Sequence, residues 1–188
     1  CQDPYDMSLW TRVSKRSLLR VPVRRRAVEG ELLEYPYPLF DDVGFGPAEI
    51  TWVADKPLGE ESLQALGALA LGLGRVADYR GVEFAAPVYG VQDAKTHALL
   101  LGQVSENARI SELVDTSQIS GDQGLVAIVP NPADPALAVL IVTGHTGKAV
   151  LKAAQGLGAN PRFQNLMGSE AVVSTLLDTR PPASRQQP

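Results

Sequence analysis

The residues best spaced for chemistry are Gly144-His145-Thr146-Gly147-Lys148, which follow an apolar run and precede a stretch of helical spacing. Phosphate binding uses the N–H groups at the start of a helix, glycines that let an anion approach, and a lysine. A phosphate loop of the nucleotide-hydrolase kind has four residues between its glycines and a Ser or Thr after the lysine. Here two residues intervene and Ala149 follows the lysine. The spacing therefore favours a plain strand-to-helix turn, with anion binding by Gly144, His145, Gly147 and Lys148 as the alternative.

Other chemistry is thinly represented. The two histidines, His97 and His145, have no carboxylate or second histidine at ligand spacing, so no metal site is expected. There is no G-x-S-x-G elbow, and the one cysteine is Cys1, which excludes an intrachain disulfide and a cysteine metal site. Cys1 fits either the lipidated first residue of a processed lipoprotein or, the favoured reading, the start of a fragment. The adjacent acids Asp41-Asp42 and Glu60-Glu61 read as solvated or helix-capping pairs, and nothing encodes catalysis. The chain is expected not to be an enzyme. Trp10, Tyr35, Tyr37 and Phe40 lie outside the expected core, and of these Trp10, Tyr35 and Tyr37 are the candidate carbohydrate-stacking residues. Trp52 is expected to pack inside.

The elements that must position these residues follow from hydrophobic periodicity. Leu125–Val129 and Leu137–Val142 are short apolar runs separated by Pro130, Asn131, Pro132, Asp134 and Pro135, a strand–turn–strand pattern. The second run has no polar residue, which suits a strand covered on both faces. Ala149, Val150, Ala153, Ala154 and Leu157 give the helix behind the Gly144–Lys148 turn, ending at Gly156 or Gly158. Upstream, residues 48–54 read as a strand and Leu63, Leu66, Ala70, Leu73 and Ala77 as one face of a helix opened by Pro57, Glu60 and Glu61. Gly67, Gly72 and Gly74 weaken that helix, so it must be held by close packing, expected against a sheet. Residues 82–89 form a strand that Pro87 marks as an edge or a break. Residues 97–102 form a leucine-rich central strand, 107–114 a short helix, and Phe163 to Leu177 supply a closing element. The result is an α/β layered sandwich with a mostly parallel sheet and one antiparallel hairpin, flavodoxin-like in its order. A flavin phosphate site wants a Ser/Thr/Gly-rich loop after the first strand, and Asp55-Lys56-Pro57-Leu58-Gly59 is not one. No cofactor is expected.

Residues 1–40 differ in composition. Leu18–Arg24 can form an edge strand with one buried face, and Glu34–Asp42, with Pro36 and Pro38, reads as an extended linker because a residue before proline avoids the helical region. The tail from Thr179 lacks a large apolar anchor and reads as disordered. The expected division is a β-rich segment and linker over 1–40, the α/β domain over 41–175 and a tail over 176–188. Residues 1–26 hold seven of the 17 Lys and Arg against two acids, leaving ten bases against 19 acids in the body. An acidic body without aromatic residues interleaved in its basic end argues against nucleic acid as a partner. No apolar run reaches the roughly 20 residues of a membrane span.

The succession Leu9-Trp10-Thr11-Arg12-Val13-Ser14, Ser17 and Leu19, then Tyr35-Pro36-Tyr37-Pro38-Leu39-Phe40, followed by a strand and a proline-started helix, is distinctive in its order. With the leucine-rich strand and the strand–Asn-Pro–strand–Thr-Gly–helix unit, it resembles the periplasmic B subunit of bacterial cellulose synthase over residues 9–175. Order and spacing carry the likeness, not any single motif. The resemblance implies the end of a carbohydrate-binding module over residues 1–40 and a first flavodoxin-like domain, without flavin, over 41–175. It implies a non-catalytic scaffold in a periplasmic, membrane-associated complex. Its partners would be the membrane-embedded glucan synthase catalytic subunit, neighbouring domains or copies of the same subunit, and nascent polysaccharide. Cyclic di-GMP, in the family's usual description, acts on the catalytic subunit and leaves no site to assign here.

Overall fold

Seven strands form one sheet: β1 (Ala48–Val53), β2 (Val82–Val88), β3 (His97–Gln103), β4 (Gly124–Pro130), β5 (Ala138–Gly144), β6 (Glu170–Val173) and β7 (Thr179–Arg180), in the spatial order β2-β1-β3-β5-β4-β6-β7. The structure is a computed structural model that describes residues 14, 16, 18, 22, 26–40, 46–54, 56–77, 80–159, 168–174 and 179–180. β2, β1, β3 and β5 run parallel, the flavodoxin-like order, and β4 turns back against β5 as the expected hairpin. β6 and β7 continue the sheet by antiparallel pairing. The strand expected over Leu18–Arg24 lies largely outside the described residues.

Every residue of β5 is buried, which is what its unbroken apolar run requires. Ala138, Leu140 and Val142 face one core with Leu99 and Leu101 of β3 and Val126 and Ile128 of β4; Val139 and Ile141 face the other with Ala98, Leu100, Leu125 and Ala127. The first core is closed by α1 (Glu60–Ala77), through Ala65, Leu69 and Leu73, and α3 (Gly147–Ala159), through Val150, Ala153, Ala154 and Leu157. The second is closed by Ile110 of α2 (Ala108–Leu113), with Val91, Ala94, Val114 and Ile119 from the flanking turns. Thr143, the polar residue inside β5, donates its hydroxyl proton to the Gly102 carbonyl at 2.8 Å, so its burial leaves no orphan hydroxyl donor.

The glycines of α1 divide by position. A Cβ on Gly72 would lie 2.6 Å from the Gly158 Cα, and one on Gly158 would lie 2.7 Å from the Ala68 carbonyl oxygen. The close packing expected of this helix is therefore helix on helix, not helix on sheet: α1 and α3 touch backbone to backbone over one face. Gly67 and Gly74 face open space.

Two expectations are corrected. The Glu34–Asp42 stretch is not an extended linker over its described part: Leu32–Glu34 form a 3-10 turn, and residues 35–39 turn on. The peptide bonds before Pro36 and Pro38 are both cis. Leu32, Tyr35 and Leu39 join the α1/α3 core, and the Arg80 guanidinium sits 4.1 Å over the Phe40 ring. Burial of these side chains outweighs the local preference for extension. In the tail, Thr179 and Arg180 pair with Val173 and Val172 as β7, since an open strand edge offers backbone bonds that need no apolar anchor.

Gly67→Ala is expected to raise stability by about 0.5–1 kcal/mol, because the methyl group meets nothing and the unfolded chain loses freedom. Gly72→Ala is expected to cost about 1–3 kcal/mol by forcing the two helices apart. Urea midpoints of the two variants, moving in opposite directions, check this.

Candidate functional site

In parallel sheets the ligand crevice lies beyond the carboxyl ends of the strands, at the point where strand order reverses. Here that point is between β1 and β3, under the loop that joins β1 to α1. The crevice is lined by Ala54, Lys56, Pro57, Leu58, Leu101, Glu106 and Asn107 and holds about 60 Å³. That is room for a water or two, against the several hundred Å³ of typical cofactor pockets. The Glu106 carboxylate accepts from the Gln103 backbone N–H at 3.2 Å and from its side-chain amide at 2.8 Å, so a negative charge is fixed beside the place a phosphate would take.

The Gly144–Lys148 turn joins β5 to α3 as the spacing predicts. His145, Thr146 and Lys148 are exposed. Thr146 caps the helix: its hydroxyl oxygen accepts from the Ala149 N–H at 3.2 Å, and its carbonyl accepts from the Val150 N–H. One donor an anion would need is thus already taken. The two glycines serve packing. A Cβ on Gly144 would lie 2.6 Å from the Ala149 Cβ, and one on Gly147 would lie 2.9 Å from the Cβ of Glu61, whose carboxylate carbon is also within 3.2 Å of that point. Glu61 puts an acidic side chain at the helix start, opposing a second anion there. The His145 ring nitrogen Nε2 is bonded to the Ile119 carbonyl oxygen at 3.2 Å.

His97 stands at the start of β3, where its Nδ1 accepts from the Ala138 N–H at 2.9 Å and ties the ends of β3 and β5 together. The two histidines therefore hold different elements. Among the described residues no three of His, Cys, Asp and Glu are grouped so that they could hold a metal ion. No helix among them is long and apolar enough to cross a membrane.

Of the residues expected to stack on sugar, Trp10 lies outside the described residues. Tyr35 is 3% exposed and offers no ring face, because the core claims it; burial pushes its phenol up. Tyr37, 49% exposed, presents its ring to solvent. Trp52 is only partly buried: it lines a cleft beside the carboxyl ends of β1 and β2 instead of packing fully inside.

A family model described as "Cellulose synthase BcsB, first FD domain" matches residues 31–173, from the 3-10 turn to the last residue of β6. The chain belongs to this BcsB family. A "Cyclic di-GMP-binding protein" of Pseudomonas fluorescens (strain SBW25) is 31% identical over 183 residues, covering 97% of this chain and 23% of the relative. A protein of the same name from Komagataeibacter xylinus is 29% identical over 182 residues, with 96% and 21% covered. "Putative cellulose synthase 2" of Komagataeibacter xylinus is 30% identical over 182 residues, with 97% and 11% covered. The chain thus spans less than a quarter of the length of these relatives. As a first FD domain of BcsB, it matches through the body that Leu32, Tyr35 and Leu39 help to close.

Tyr35 gives a pH test of that closure. An unfolded tyrosine ionises near pH 10. Folded Tyr35 keeps its proton to higher pH, so above that point the unfolded chain binds fewer protons and stability falls as pH rises. The contribution is complete below about pH 10 and is lost above it. Tyr35→Phe is expected to show a shallower loss of urea stability between about pH 8 and about pH 11 than the parent chain.

Proposed function

We propose that this domain is a non-catalytic scaffold of a bacterial cellulose-type synthase complex, working outside the cytoplasmic membrane, where it contacts or guides nascent glucan. The observation that carries the reading is the family match over residues 31–173, with relatives named for cellulose synthases. The chemistry of the site supports a non-enzymatic role: the reversal-point crevice is small and sets the Glu106 carboxylate against the single cation Lys56, and the space beside the phosphate-loop-like glycines is taken by Ala149 and Glu61. On this reading the stretch within residues 1–40 that precedes the folded body continues a carbohydrate-binding-like module. The membrane-embedded catalytic subunit and neighbouring domains or copies of the same subunit are the protein partners. Cyclic di-GMP, part of the name of two of these relatives, has no assigned site in this domain.

Calorimetric titration of the chain with cello-oligosaccharide, FMN, ATP and cyclic di-GMP in parallel tests the proposal. The expected result is weak sugar binding, with a Kd on the order of 0.1–1 mM, and no saturable heat from the three phosphate compounds. Saturable binding of FMN or ATP that Lys148→Ala abolishes would return the domain to the class of small-ligand modules. Silence in all four cells would leave docking between proteins as its role and remove direct glucan contact.

A further inference from the structure

The larger cleft lies at the other side of β1, between the carboxyl ends of β1 and β2. It holds about 270 Å³ and is lined by Trp52, Ala54, Lys56, Pro57, Pro87, Val88 and Tyr89. Its walls are stiff on both sides: Pro57 fixes the approach to α1, and Pro87 fixes the end of the edge strand. Tyr89 is 79% exposed and Trp52 is part-exposed, so two aromatic rings border one opening. The Trp52 Nε1–H is buried and has no acceptor among the described residues. A buried donor without a partner is uncommon and costs stability, so this one calls for a reason.

We propose that the Trp52–Tyr89 cleft is a subsite for a β-linked glucan, with the sugar ring stacked on the aromatic faces and its hydroxyl oxygens accepting from Lys56. The inference rests on the proposed scaffold function and assigns it a place. A β-linked glucose ring carries its C–H bonds on two flat faces and its hydroxyls around the rim. Such a ligand needs aromatic or proline walls and hydrogen-bond groups at the edge. The cleft has that combination: Pro57, Pro87 and the two rings as walls, the Lys56 ammonium and the Tyr89 phenol at the edge, and no carboxylate among its described lining residues. An anion would instead call for several converging cations or helix N–H groups, and among the described lining residues Lys56 is the one cation. Trp52 adds a donor that a sugar hydroxyl satisfies once the ligand opens the contact covering it.

The test uses the whole chain with Trp10→Phe, which leaves Trp52 as the single tryptophan. Cellohexaose is added while the Trp52 indole N–H resonance and fluorescence are followed, with maltohexaose as the α-linked control. The expected result is a saturable shift of both signals with cellohexaose and little with maltohexaose. Tyr89→Ala is expected to weaken cellohexaose about five- to tenfold, and Lys56→Ala a few-fold, as loss of one aromatic contact or one edge donor should. Both positions are exposed, so both variants are expected to melt near the parent temperature; a Tyr89 variant that fails to fold leaves Lys56→Ala and the Trp52 resonance to decide. If cellohexaose binds without moving Trp52, and Tyr37→Ala removes the binding, this subsite is overturned while the scaffold function stands. If cellohexaose binds neither this variant nor the parent chain with Trp10 in place, the subsite and direct glucan contact by this domain both fall; if it binds the parent alone, the subsite falls and the contact belongs to Trp10. Equal shifts from maltohexaose overturn the β-linked assignment.

Discussion

The constraint on which the rest of the structure depends is that β5 is buried along its whole length on both faces. A strand without one solvated side chain cannot end a layer, so each face of the sheet must be covered. One face takes two helices, and they reach side by side over β3, β5 and β4 only because Gly72 and Gly158 let their backbones touch. The other face takes a short helix and several turns, whose polar groups must then be satisfied near the core. The buried Asn131 does this twice: its amide donates to the Val91 carbonyl at 3.0 Å, and its oxygen accepts from the Ala133 N–H.

The same constraint decides what the conspicuous glycines do. Gly124 and Gly144 lie where α3 crosses the ends of β4 and β5; a Cβ on either would meet Ala149 or Ala153. A glycine-rich strand-to-helix turn can admit a phosphate or admit a helix, and the two uses compete for the same volume. In this chain the helix has taken it. The turn keeps the appearance of a phosphate loop because both uses require a missing side chain beside a helix start.

Much of the fold was legible because its cues are periodic. The double-sided run of β5, the leucines of β3, the helical spacing of α1 and α3, and the Asn-Pro turn between β4 and β5 all report local geometry, and the structure follows them to within a few residues. What was not legible depends on partners far along the chain. Tyr35-Pro36-Tyr37-Pro38 looks extended by its local rule, yet Leu32, Tyr35 and Leu39 find the α1/α3 core, and the Leu32 N–H reaches the Gly168 carbonyl. Gly72 differs from Gly67 and Gly74 only in what faces it. The same is true of Trp52: its apolar bulk suits the inside, and although Pro87 marks the neighbouring strand as an edge, nothing local shows that the cleft between β1 and β2 leaves the ring part-exposed.

That edge position matters for function. A parallel sheet concentrates loops at the carboxyl ends of its strands, and the reversal point is normally the widest gap among them. Here Pro57, Leu58, Leu101 and the Glu106 side chain draw that gap down, so the loops from β1 and β2 leave their open space one strand further out. At the centre of a sheet such space is enclosed by helices on either side and suits a small molecule. At an edge it stays open along the strand direction, and a polymer can cross it without an end to thread. On the proposed reading, a scaffold that meets a growing chain needs that openness more than enclosure, and a small central crevice beside an open aromatic edge cleft suits that one role.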